Sequence, residues 1–209
     1  MTRATTAALL VIDVQNDFIP GGPLAVPGGD EIVPLINRLG HSFNQVVLAQ
    51  DWHPAGHASF ASSHPGKQPF DTTQLPYGEQ TLWPDHCIQG SQGAALHLAL
   101  DLPHAQLIIR KGCNPDIDSY SAFMEADRQT PTGLAGYLKE RGVDTVYVVG
   151  LALDFCVMFT ALDARIAGFN AVVVLDACRG IDIEGSLDAA LRRMQQAGVQ
   201  LIQSTDMTN

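Results

Sequence analysis

Six short apolar runs, separated by segments of helical period, constrain the fold of this chain more than any other feature. Residues 7–13, 45–50, 106–110, 145–150, 171–176 and 200–204 read as strands. Most are near-continuous in Val, Ile, Leu and Ala instead of alternating with polar residues, the pattern of strands buried on both faces. Such strands need helices above and below them. The expected architecture is therefore α/β, a three-layer α/β/α fold with a mostly parallel six-stranded sheet. Thr132 is placed to cap a helix running to Arg141 before Gly142, with Leu134 and Leu138 on one face. Residues 157–167 and 186–197 read as two more helices, stopped by Gly168 and Gly198.

Between these elements lies a stretch without clear period, at about residues 52–105, that carries Pro54, Pro65, Pro69, Pro76 and Pro84. A segment this long inside a compact domain is usually functional. No repeat, low-complexity tract or linker divides the chain, so one domain over residues 1–209 is expected, with 52–105 as a loop-rich insertion. Twenty-two acidic against twelve basic side chains give a formal charge of -10. That field repels phosphate backbones and anionic headgroups, so no nucleic acid and no membrane partner is expected. The longest apolar stretches fall well short of the roughly 20 residues of a membrane span, and no signal sequence is read, which points to a cytoplasmic location. Cys87, Cys113, Cys156 and Cys178 show no CxxC spacing, so neither a zinc knuckle nor a disulfide framework is indicated. Oligomeric state, monomer or homo-oligomer, is left open.

In an open α/β sheet the site lies outside the carboxyl ends of the strands, so the residues closing each apolar run are the informative ones. They are Asp13, Asp51 followed by His53, Lys111, the turn from Gly150 to Cys156, and Asp176. Cys156 follows a strand-to-turn segment and opens a helix, a setting that activates a thiol and offers backbone N–H groups to an oxyanion. The plainer alternative is a buried structural cysteine. Lys111 as a nearby ammonium would favour thiolate, and Asp13 could take the thiol proton and return it to a leaving amine. Asp51, His53 and His86 form a candidate set for one divalent metal ion, with positions left open for water or substrate. Zn, Fe and Mn all suit one carboxylate and two imidazoles, and His57 or Ser59 could add to the shell. Phe18, Trp83 and Tyr120 lie near these groups and could wall a small aromatic ligand, whereas Trp52 and Phe155 read better as core residues.

The segments Val11-Ile12-Asp13-Val14-Gln15-Asn16-Asp17-Phe18, Asp51-Trp52-His53-Pro54, Trp83-Pro84-Asp85-His86-Cys87, Asp118-Ser119-Tyr120-Ser121-Ala122-Phe123 and Gly150-Leu151-Ala152-Leu153-Asp154-Phe155-Cys156-Val157 together resemble the nicotinamidases, or pyrazinamidases, of the isochorismatase-like hydrolase superfamily. The resemblance covers nearly the whole chain. It implies an Asp13, Lys111, Cys156 triad, a divalent metal on Asp51, His53 and His86, and a non-proline cis peptide at Leu151–Ala152. It implies an oxyanion site at the Ala152 and Cys156 amides, and hydrolysis of the small aromatic amide nicotinamide through a Cys thioester, as in NAD salvage. The chain departs from some relatives at Phe155, which would alter the pocket wall, and at Cys113, which would be open to oxidation beside the site. Three other readings remain at this point. They are an amidase for a carbamoyl compound, a metallohydrolase with a structural Cys156, and a thiol redox or ligand-binding protein.

Overall fold

A computed structural model of the protein describes residues 6–207. The six expected strands are present as β1 (Ala7–Ile12), β2 (Val46–Asp51), β5 (Leu107–Lys111), β6 (Thr145–Gly150), β7 (Asn170–Cys178) and β8 (Gln200–Ile202). They form one sheet in the order β5-β2-β1-β6-β7-β8, with every neighbouring pair parallel. Successive residues of β1 feed opposite faces: Leu10 and Ile12 join one apolar cluster, Leu9 and Val11 the other. This two-sided burial is what the near-continuous apolar runs encode.

One face is covered by α2 (Leu134–Glu140), α3 (Met158–Ile166) and α4 (Ser186–Gln196), through Leu134, Leu138, Met158, Ala161, Ala190 and Met194. The other face carries α1 (Val33–Gly40) with irregular chain packed beside it, including Phe18, Leu24, Trp83 and Leu102. The sequence pattern left α1 unassigned. It also left the short hairpin of β3 (Thr72–Leu75) and β4 (Gly78–Thr81) inside the loop-rich stretch. Both elements are short, and the hairpin carries the polar residues of an exposed ribbon.

Several boundaries differ from the sequence reading for local reasons. Asp13 lies outside β1 because it adopts a left-handed φ of 50°. Thr132 does not start its helix directly; Gly133 intervenes at φ 98°, and the Thr132 hydroxyl accepts from the Leu134 N–H at 3.3 Å. The segment Leu153–Val157 is a π-helical turn, and α3 begins only after it. Among the described residues no helix is long and apolar enough to cross a membrane.

The chain leaves β1 in two directions, β2 and β5 to one side and β6, β7 and β8 to the other. A crevice is expected where the winding reverses, outside the carboxyl ends of β1 and β6. Gly150 closes β6 there with φ 116°, and a Cβ at that position would stand 2.1 Å from the Ile12 carbonyl oxygen. Only glycine lets the two strand ends run this close. Gly150→Ala is expected to lower unfolding stability by about 3 kcal/mol, measured by denaturant titration, because the clash is with backbone that cannot yield.

Candidate active site

Lys111, the last residue of β5, has no exposed surface. Its Nζ lies 2.8 Å from Asp13 Oδ2 and 2.5 Å from Asp51 Oδ1, and it donates to the Ser119 carbonyl at 3.0 Å. Cys156 Sγ stands 3.5 Å from the same nitrogen. Burial opposes the charge on Lys111, but Asp13 and Asp51 outweigh it and hold the ammonium protonated well above its ordinary range. Burial raises Asp13 to about 6, with Lys111 pulling it down and Asp51 pushing it up. Asp51 is opposed by burial too, yet Lys111 and His53 keep it well below the usual carboxylate range. The two carboxylates therefore differ: one is poised to exchange a proton and the other stays ionised.

Burial also pushes the Cys156 thiol well above its ordinary value; Lys111 lowers it and Asp13 raises it again. The ammonium does favour the thiolate, but burial outweighs it. Desolvation wins, so the thiol keeps its proton until a base takes it. Neither Asp13 oxygen completes a hydrogen bond of good geometry apart from the Lys111 ion pair, so the carboxylate is available to accept that proton.

Asp51, His53 and His86 bring ligand atoms within 4.8 Å of one another, all buried. The two imidazoles are turned by bonds from their other nitrogens, His53 Nδ1 to the Gly112 carbonyl at 3.0 Å and His86 Nδ1 to the Pro84 carbonyl at 2.8 Å. That arrangement leaves both Nε2 atoms facing Asp51 Oδ2, at 3.5 and 3.6 Å. Oriented histidines of this kind, with a carboxylate, fit a divalent metal. Gly112 belongs to the fit, since with φ 65° a Cβ there would come 2.4 Å from the His53 ring. Gln15, which was not singled out from sequence, fixes the Asp51 backbone by accepting from its N–H and donating to its carbonyl, both at 2.8 Å.

His57 and Ser59, left open by the sequence, bond to each other at 2.7 Å, and His57 Nε2 reaches the Asn114 carbonyl at 2.8 Å. The His57 ring packs against the His53 ring, centroids 4.3 Å apart, and His57, His53 and Asp118 also bring ligand atoms within 4.8 Å of one another. Asp176 does not join the site. It holds Ser204 through the N–H at 2.8 Å and the hydroxyl, because β7 runs on past it to Cys178. Cys113 is exposed and is not among the residues lining the cavity.

A cavity is lined by Phe18, Trp83, Tyr120 and Phe155 together with Cys156, Asp51, His86 and Ala152. Phe18, Trp83 and Tyr120 stand where the sequence reading put them. Phe155, read by residue type as core and by the resemblance as pocket wall, lines the cavity and meets Trp83 edge-on at 4.9 Å. Trp52 lies away from it under the Arg110 guanidinium, 3.8 Å from the ring. Tyr120 is pinned by Trp83 Nε1 and Gln80 Nε2, each donating to its hydroxyl at 3.0 Å. Leu24, Asp118 and Ile181 complete the lining and were not picked out from sequence. They lie on loops, where no local period marks them. The Leu151–Ala152 bond is cis, as the resemblance implied.

The model of the Isochorismatase domain family matches residues 7–206. A nicotinamidase from Acinetobacter baylyi is 64% identical over 207 residues, covering 99% of this chain and 97% of that protein. The structure of a nicotinamidase/pyrazinamidase from Acinetobacter baumannii superposes with a TM-score of 0.97 at 61% identity, over 99% of this chain and 100% of that one. The structure of a pyrazinamidase from Pyrococcus horikoshii in complex with zinc superposes with a TM-score of 0.78 at 37% identity, over 95% and 99%.

Two outcomes are expected. The rate at limiting substrate rises with pH through about 6, because Asp13 must be deprotonated to act as base. A profile flat through that region would remove Asp13 from the role. Gly112→Ala displaces the His53 ring and weakens metal retention about tenfold or more, read by competition with a chelator.

Proposed function

The chain belongs to the isochorismatase domain family, and from that premise we propose an amidohydrolase that converts nicotinamide to nicotinate and ammonia and also takes pyrazinamide. Its relatives named above carry those activities in their names. The observation that carries the reading is the shared contact of Lys111 with Asp13 and Asp51 beside Cys156, with Asp51 and Cys156 in the lining of an aromatic cavity. The reading takes the chain as one hydrolase domain in a cytoplasmic NAD salvage route.

Phe18 and Trp83 flank the flat ring, and Tyr120 closes one side of the wall. Asp51, His53 and His86 would hold a divalent metal, for which Zn, Fe and Mn suit the donors, and when bound it would offer a Lewis-acidic position for the ring nitrogen. Asp13 takes the Cys156 proton as the sulfur attacks the carboxamide carbon. Lys111 offsets the negative charge of the Asp13 and thiolate pair while the proton moves. The Ala152 and Cys156 amides receive the oxyanion. The C–N bond breaks, Asp13 returns the proton to nitrogen, and ammonia leaves behind a thioester. Asp13 then deprotonates water for attack on the thioester, and the proton it gains restores the thiol as nicotinate departs.

The donor set of Asp51, His53 and His86 weighs against a metal-free amidase on the same triad. The place of Cys156 in the cavity lining, 3.5 Å from Lys111 Nζ, weighs against a purely structural thiol.

Cys156→Ala is expected to abolish ammonia release from nicotinamide while still binding the ligand; retained turnover would overturn the covalent scheme. Asp13→Asn should lower kcat by about 100-fold to 10,000-fold, the usual worth of a positioned proton shuttle. Benzamide, which lacks the ring nitrogen, should be a poor substrate, and chelated enzyme should recover on metal addition. Equal rates on benzamide and nicotinamide would remove the metal from substrate orientation.

A further inference from the structure

The π-helical turn that carries Cys156 also carries Asp154, which is buried and stays outside the steps above. Its carboxylate gathers three donors, two from the 179–185 loop and one from the residue that follows it. Oδ1 accepts from the Ile181 N–H at 3.0 Å, and Oδ2 accepts from the Asp182 N–H at 2.8 Å and the Ser186 hydroxyl at 2.6 Å. A fourth bond, from the Leu153 N–H to the Arg179 carbonyl at 2.8 Å, ties the start of the loop to the same turn. Ile181 lines the same cavity as Cys156.

The loop bonds to itself at its far end, where the Ile183 N–H donates to the Ser186 hydroxyl and the Ser186 N–H to the Ile183 carbonyl, both at 2.9 Å, while its backbone is strained. Asp182, Glu184 and Gly185 take left-handed φ values of 58°, 49° and 83°, and for the first two residues that conformation is unfavourable. Gly180 is wedged so tightly that a Cβ would stand 2.0 Å from Leu187 Cδ1 and 3.0 Å from Asp154 Oδ1. Bonds to an ionised carboxylate are stronger than those between neutral groups, and here one carboxylate supplies three of them. Ser186 is the first residue of α4, so the loop is fastened to the nucleophile turn and to a helix by the same group.

We propose that Asp154 is a positioning residue for substrate selection. It clasps the 179–185 loop onto the nucleophile turn so that Ile181 sets the ring size the cavity accepts. This rests on reading that cavity as the amide-binding site. Loosening the clasp or shortening Ile181 enlarges the cavity for a substituted ring and exposes the Cys156 sulfur.

The test compares wild type with Asp154→Asn, Ser186→Ala and Ile181→Ala. Each is assayed on nicotinamide and on a ring-methylated nicotinamide, and alkylation of Cys156 by iodoacetamide is followed by peptide mass spectrometry. The ratio of kcat/KM for the methylated ring over nicotinamide is expected to rise about tenfold in all three, the usual scale for one methylene of pocket space. Cys156 alkylation should quicken in parallel. Unchanged ratio and labelling in Ser186→Ala and Asp154→Asn, with wild-type melting temperatures, would overturn the clasp even if Ile181→Ala responds. A loss of kcat on both substrates at constant ratio would also overturn it, making Asp154 a support of the turn alone. Should Asp154→Asn fail to fold, Ser186→Ala decides the matter by the same two readouts. If wild type leaves nicotinamide untouched, the substrate reading fails, while the labelling rates still judge the clasp.

Discussion

The fully buried ammonium of Lys111 is the interaction on which the rest of the site depends. A charge with no exposure to water is tolerated only when ion pairs and hydrogen bonds replace its hydration, and removing one partner of such a pair commonly costs about 3–5 kcal/mol. Lys111 has two carboxylates and a carbonyl within bonding distance. Asp13 and Asp51 are thus held close together by a common counter-ion, although like charges resist sharing a buried space. The same contact divides their roles. Asp51 remains ionised for a cation on its other oxygen, and Asp13 sits near the point where it can gain and lose a proton.

The same lysine bears on the Cys156 thiol. Lys111 lowers it more than any other neighbour, but desolvation together with the Asp13 and Asp51 carboxylates outweighs that pull. A neutral thiol beside a carboxylate with a raised pKa needs only a short transfer to react. It also stays less open to alkylation and oxidation between turnovers.

Backbone geometry delivers these side chains. Asp51 and Lys111 close adjacent parallel strands in register, which brings their side chains to one edge. Asp13 and the Cys156 turn flank the position where the winding of the sheet reverses, and Gly150 permits the approach of β6 to β1. The aromatic wall is then assembled from the first loop, the long irregular stretch and the nucleophile turn. No single segment makes the cavity; each contributes one or two faces.

The sequence by itself determined the parallel sheet, because runs apolar on both faces have no other stable home. It also marked Asp13, Asp51, His53, Lys111 and Cys156 by their place at or just after the ends of such runs, and His86 by its residue type in the irregular stretch; Asp176, which shares the first signal, lies elsewhere because β7 continues past it. It did not reveal α1 or the β3–β4 hairpin, which are short and weakly periodic. The folded chain adds that the His57 ring packs on His53, that Asp176 bonds Ser204, and that Gln15, Gln80, Asp118, Asp154 and Ile181 lie around these groups. Those placements depend on where a loop is fastened. Such contacts join residues far apart in the chain, and linear spacing carries no signal for them.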